Sequence, residues 1–225
     1  CTGGLWVIAS LGGAQAAAVL TQNFDAAAVD NTVGSTPPAG WTARIYYSDG
    51  SEGPVEVTTG SATWLGWKFL NKSTWVAQKT TNATTKRGDF GLGSNGIALI
   101  ESDGLRAAKV YSATLETPAV NVAAGKKYQL SFNTHYRQGQ APQTADVIVS
   151  FDKGSAQTFA LTADTLNQAF QKTLTVPADA TTAKISWNYR STANNWYWAV
   201  DDVLLDEDTS APPAPFDPAK LPDTT

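Results

Sequence analysis

The chain has 225 residues, 42% hydrophobic and only 16% charged, with a net charge of −4. It is long enough to bury a core without covalent staples. Its single cysteine excludes an internal disulfide framework and any cysteine-based zinc cluster, its single histidine excludes every site that needs two, and its acidic balance without a basic stripe excludes nucleic acid as a partner. The first residues carry no charge. Leu5 to Leu11 is a short apolar run, and Ala14-Gln15-Ala16 fits a signal-peptidase site. Residues 1–19 therefore read as a signal-peptide remnant, or as an assembly strand that joins copies into a homo-oligomer through residues 1–20. The run is too short to span a bilayer.

Residues 20–206 read as short alternating strands. Lys127 to Asn133 places Tyr128, Leu130 and Phe132 on one face with Lys127, Gln129 and Ser131 on the other. Ala145 to Phe151, Gln171 to Val176 and Ala183 to Tyr189 alternate in the same way. Gly91-Leu92-Gly93-Ser94-Asn95-Gly96 matches G-x-G-x-x-G, but the apolar run Ile97 to Ile100 that follows predicts a strand, so the glycines predict a turn rather than a nucleotide site. Asp152-Lys153-Gly154-Ser155 has the residue types of a hairpin turn. Only Asp164 to Gln168 predicts a helical turn. Many short strands with Gly, Asn and Pro between them predict an all-β chain, an antiparallel β-sandwich with jelly-roll topology. Residues 207–225, rich in proline, read as a linker or tail.

In Trp196 to Leu205 strict alternation puts Trp196, Trp198, Val200 and Leu204 with Asp202, and Tyr197, Ala199, Val203 and Leu205 with Asp201. Either way a carboxylate interrupts an apolar face, where an ionised, unpaired group is costly. A bound cation would resolve this, and calcium takes carboxylate and carbonyl oxygens without His or Cys. The alternative is an Asp pair that bonds nearby backbone N–H groups.

Four stretches carry a family resemblance. Asn23-Phe24-Asp25 with Pro37-Pro38-Ala39-Gly40-Trp41-Thr42 resembles the opening of cleaved-adhesin and MAM-like jelly rolls. Glu116-Thr117-Pro118-Ala119-Val120 and the strand after it resemble their middle, and Trp196-Tyr197-Trp198-Ala199-Val200-Asp201-Asp202-Val203 resembles their closing strand. Trp64-Leu65-Gly66-Trp67-Lys68-Phe69, together with Asn194 to Val203, is also similar to the jelly-roll modules that precede phosphoesterase domains in secreted bacterial enzymes. The resemblance implies that the first and last strands lie side by side, so that Asp25 reaches Asp201 or Asp202 around a structural calcium ion.

No catalytic motif is present. His135, the one imidazole, reads as a polar residue at a strand end without a nucleophile motif. Glu101 and Asp103, on one face of one strand, make no glycosidase pair. The eight Trp residues are the functional lead, although most belong in the core. Trp196 and Trp198, with Asn194, Asn195 and Arg190 as donors, are the candidate sugar-stacking residues. The expected function is a non-catalytic module for adhesion or for a glycan or cell-surface ligand, secreted or on a bacterial surface, within a larger protein. The alternatives are a subunit of an extracellular filament or surface layer, and an accessory part of a secreted metallophosphoesterase.

Overall fold

The computed structural model describes residues 18–28, 36–47, 52–53, 66–77, 82–102, 111–192 and 195–209. Residues 1–17, Trp64, Asp103, Asn194 and the tail from residue 210, with the readings placed on them, lie outside this set. The strands are β1 (Leu20–Gln22), β2 (Thr42–Tyr47), β3 (Glu52–Gly53), β4 (Lys68–Asn71), β5 (Gly96–Glu101), β6 (Tyr111–Glu116) and β7 (Val120–Asn121). They continue with β8 (Lys127–Tyr136), β9 (Thr144–Phe151), β10 (Gln157–Leu161), β11 (Thr165–Thr175), β12 (Thr182–Thr192) and β13 (Tyr197–Glu207). Two short helices, α1 (Lys72–Ala77) and α2 (Asn82–Thr85), lie between β4 and β5, and 3-10 turns occupy Asp25–Ala27 and Arg87–Asp89.

The first sheet runs β11-β8-β13-β5-β4, with β1 also paired to β13. The second runs β10-β9-β12-β6-β2-β3, with β7 also paired to β12. All pairings are antiparallel. The expected antiparallel sandwich is the fold observed, and the turn at 152–155 joins the paired strands β9 and β10. Alternation explains the core: Tyr128, Leu130 and Phe132 of β8 meet Ile185 and Trp187 of β12 in one buried cluster. Trp41 stacks on Trp187 with centroids 5.7 Å apart, and Phe132 on Phe170 at 4.4 Å. Trp41, Trp67, Trp187 and Trp198 all belong to this core, which absorbs much of the aromatic composition.

A second apolar cluster lies on the outer side of the first sheet. Leu70, Trp75, Phe90, Ile97, Leu99, Tyr197 and Ala199 pack there, with Trp75 and Phe90 contributed by the segment between β4 and β5. This cover makes β5 buried at every position, which is why it reads as a continuous apolar run instead of alternating.

Two expectations are corrected. Residues 164–168 form no helical turn: β11 begins at Thr165, with a bulge between Thr165 and Gln168 and Asn167 at φ 51°. The Asn167 N–H donates to His135 Nδ1 at 2.9 Å, which fixes this shape. Strict alternation also fails in β13. A bulge between Asp201 and Leu204, with Asp202 at φ 50°, shifts the parity, so that Trp198, Val200, Val203 and Leu205 all join the inter-sheet core.

Candidate functional site

The β13 bulge sits where that strand changes partners. Residues 197–200 pair with β5, while 203–205 pair with β1. β1 therefore delivers Asp25 to the start of β5, and the Gly96 N–H donates to Asp25 Oδ1 at 2.7 Å. Asp201 is fully buried; its Oδ2 accepts from the Ser94 N–H at 2.8 Å and its Oδ1 from the Asp202 N–H at 2.8 Å. Asp202 is exposed, and Asn133 Nδ2 donates to its Oδ2 at 3.0 Å. Burial pushes the Asp201 carboxyl up to about 7; the Asp202 and Asp25 charges push the same way, against the N–H donors that favour ionisation. The three aspartates named from the sequence thus lie on one seam, Asp25 and Asp201 accepting from backbone N–H groups and Asp202 from the Asn133 side-chain amide. Among the described residues no group of three acidic, His or Cys side chains converges to enclose a metal unaided. A cation here would draw on the Asp25 and Asp201 carboxylate oxygens. That donor set suits calcium, and the buried Asp201 charge has no basic partner among the described residues.

The aromatic site proposed from the sequence does not assemble. Trp198 is fully buried, and its indole N–H donates to Thr134 Oγ1 at 2.9 Å, so it offers no ring face to a ligand. Trp196 is half-buried, with the Arg137 guanidinium 3.5 Å above its ring centroid. Asn195 Oδ1 accepts from the Gln140 N–H at 2.9 Å and holds the β8–β9 loop. Arg190 lies elsewhere, on the outer face of the second sheet.

His135 also differs from its reading. It is fully buried beneath the α1–β5 cover, stacked between Phe90 at 5.0 Å and Tyr197 at 5.5 Å. Because Nδ1 accepts from Asn167, Nε2 carries the proton and donates to the Lys86 carbonyl at 2.7 Å. Burial pulls the imidazole down to about 4. Sealed from solvent and fully bonded, it serves packing rather than proton transfer. Glu101 is likewise buried, ion-paired with Arg87 and bonded to the Trp75 indole N–H at 2.8 Å.

The outer face of the second sheet has a different character from that of the first. Arg44, Thr114, Asn188 and Asp146 stand directly opposite one another across β2, β6, β12 and β9. Thr114 Oγ1 donates to Asn188 Oδ1 at 2.8 Å, and Asn188 Nδ2 donates to Asp146 Oδ1 at 3.0 Å. Arg190 donates to the same oxygen at 3.2 Å. Tyr46, with Ser112 opposite it, flanks this ladder, and among the described residues no apolar cluster covers it. Sequence reading found Arg190 alone of this set. The outward positions of KISWNYR and ADVIVSF signal polar faces, but which strands are neighbours is not written locally.

No protein-family model matches the sequence, and no curated protein matches it. Among solved structures the chain is similar to an apo-form cyclase from Fischerella sp., at 12% identity over 89% of this chain and 100% of that one, with a TM-score of 0.53. It is also similar to the K1 cleaved adhesin domain of Lys-gingipain from Porphyromonas gingivalis W83, at 20% identity over 84% and 98% of the two chains, TM-score 0.47. A third is TmCBM61 in complex with β-1,4-galactotriose, at 13% identity over 83% and 94%, TM-score 0.47. At these identities the likeness is one of fold.

Proposed function

We propose that this chain is a non-catalytic extracellular module that binds carbohydrate, with the outer face of the second sheet as its ligand surface and calcium as a structural ion. The observation that carries the reading is the ladder Thr114–Asn188–Asp146–Arg190, a set of fixed donors and acceptors on a rigid sheet, with no apolar cluster over it among the described residues. Such ladders suit hydroxyl-rich ligands, because each polar side chain is held in place before the ligand arrives. The opposite sheet has its equivalent surface filled by Trp75 and Phe90. The low charge and aromatic-rich core agree with a secreted chain. Assembly through residues 1–19 and attachment to an enzyme domain rest on residues outside those described.

Calcium would neutralise the Asp25 and Asp201 carboxylates and tie β1 and β5 to β13. Calorimetric titration with calcium, alongside melting curves with and without chelator, tests this part. Saturable binding with a raised Tm supports the ion, and neither effect removes it. For the ligand face, an array of immobilised neutral and acidic glycans is the test. Retention on at least one polysaccharide is expected, and uniform absence of binding by folded protein contradicts the function.

A further inference from the structure

The polar outer face of the second sheet also specifies a ligand class, an inference that rests on the carbohydrate reading above. We propose that Asp146 and Arg190 form the specificity-determining pair of a site for a neutral, linear saccharide lying across the strands, with Tyr46 as its ring platform. Asp146 Oδ1 accepts from both Asn188 and Arg190, so its Oδ2 remains as an acceptor. Arg190 spends one terminal nitrogen on that bond, and its side chain is 43% exposed, leaving Nε and the other terminal nitrogen as donors. An acceptor beside a donor matches two adjacent sugar hydroxyls: one donates to the carboxylate while its neighbour accepts from the guanidinium. Within the pair the charges cancel, and the Asp146 carboxylate repels a uronate placed against it.

Asn188 fixes the pair. It is 95% shielded, being 5% exposed, and its amide is spent on Thr114, Asp146 and Ser186, so it positions Asp146 and touches no ligand. Tyr46 lies on β2, two strands from Arg190 on β12, which places platform and clamp roughly 10 Å apart at ordinary strand spacing. One pyranose ring cannot bridge that distance, whereas a short oligosaccharide crossing the strands can, with one ring on the Tyr46 face.

Isothermal titration of the intact chain with β-1,4-linked galacto-, xylo- and gluco-oligosaccharides, and with polygalacturonate, tests this. At least one neutral series is expected to bind, with trimers or longer tighter than dimers. Asp146→Asn and Arg190→Gln are each expected to weaken it tenfold or more with an unchanged Tm. Tyr46→Ala should weaken the long ligand more than the dimer. Neutral binding that both Asp146→Asn and Arg190→Gln leave within twofold, or a preference for polygalacturonate, overturns the inference and leaves the carbohydrate reading intact. Failure of folded protein to bind any of these glycans overturns both. Should one variant not fold, the other carries the test.

Discussion

Asp201 and His135 are the two buried titratable side chains whose charge states oppose each other. The Asp201 value is raised from 3.8 to about 7, so its contribution is fully present below pH 3.8 and fades as pH rises through 7. The His135 value is lowered from 6.5 to about 4, so its contribution is fully present above pH 6.5 and is lost as pH falls through 4. In the calcium-free protein these slopes offset each other between pH 4 and 6.5. Asp201→Asn leaves the His135 slope alone, so melting curves should show its Tm climbing from pH 4 to 6.5 while the wild type stays flatter. Equal slopes in the two proteins would remove Asp201 from the account. Lys68 gives a simpler case: it is 2% exposed, its Nζ has no hydrogen-bond partner among the described residues, and burial pulls it down to about 8. Lys68→Met removes a desolvated charge while keeping the aliphatic stem, and should stabilise the fold by about 1–3 kcal/mol at pH 7 in denaturant titration. A loss of stability would mean that the ammonium is paired.

At the scale of elements, the seam between β1, β5 and β13 depends on close backbone approach at Gly96. A Cβ there would fall 2.7 Å from the Asp25 Cα and from the Phe24 carbonyl oxygen, both backbone atoms that cannot swing aside. Gly96→Ala should therefore cost about 1–3 kcal/mol and weaken calcium binding together with stability. A fully stable Gly96→Ala protein would show that the turn at Asp25–Ala27 is not held against β5. Sequence pattern reaches such elements unevenly. The alternation of β8, β9 and β12 is legible because each strand buries one side and wets the other. The β13 bulge is not, because a single residue at positive φ reverses every side chain after it without any change in composition. The α1–β5 cover is hidden for a similar reason. It borrows Trp75 and Phe90 from a weakly patterned segment to bury the far side of β5, and only long-range packing makes that profitable.

For the whole molecule, the asymmetry between the two sheets directs function. One outer face is filled by a second apolar cluster, and the other presents polar side chains locked to one another across β6, β12 and β9. Of the residues chosen from sequence, Asp25, Asp201 and Asp202 were brought together because the closing strand pairs with the opening one. Trp198 belongs to the core, and Arg190 stands on a different surface from Trp196, since the ladder it joins spans strands far apart in sequence. The most direct measurement is amide chemical-shift mapping of the labelled protein titrated with β-1,4-galactotriose and xylohexaose. Shifts should cluster on β2, β6, β9 and β12, around Tyr46, Thr114, Asp146, Asn188 and Arg190. Shifts confined to the Asn195–Trp196 corner or the Asp25–Asp202 seam, or none with either sugar, would contradict the placement of the ligand on the second sheet.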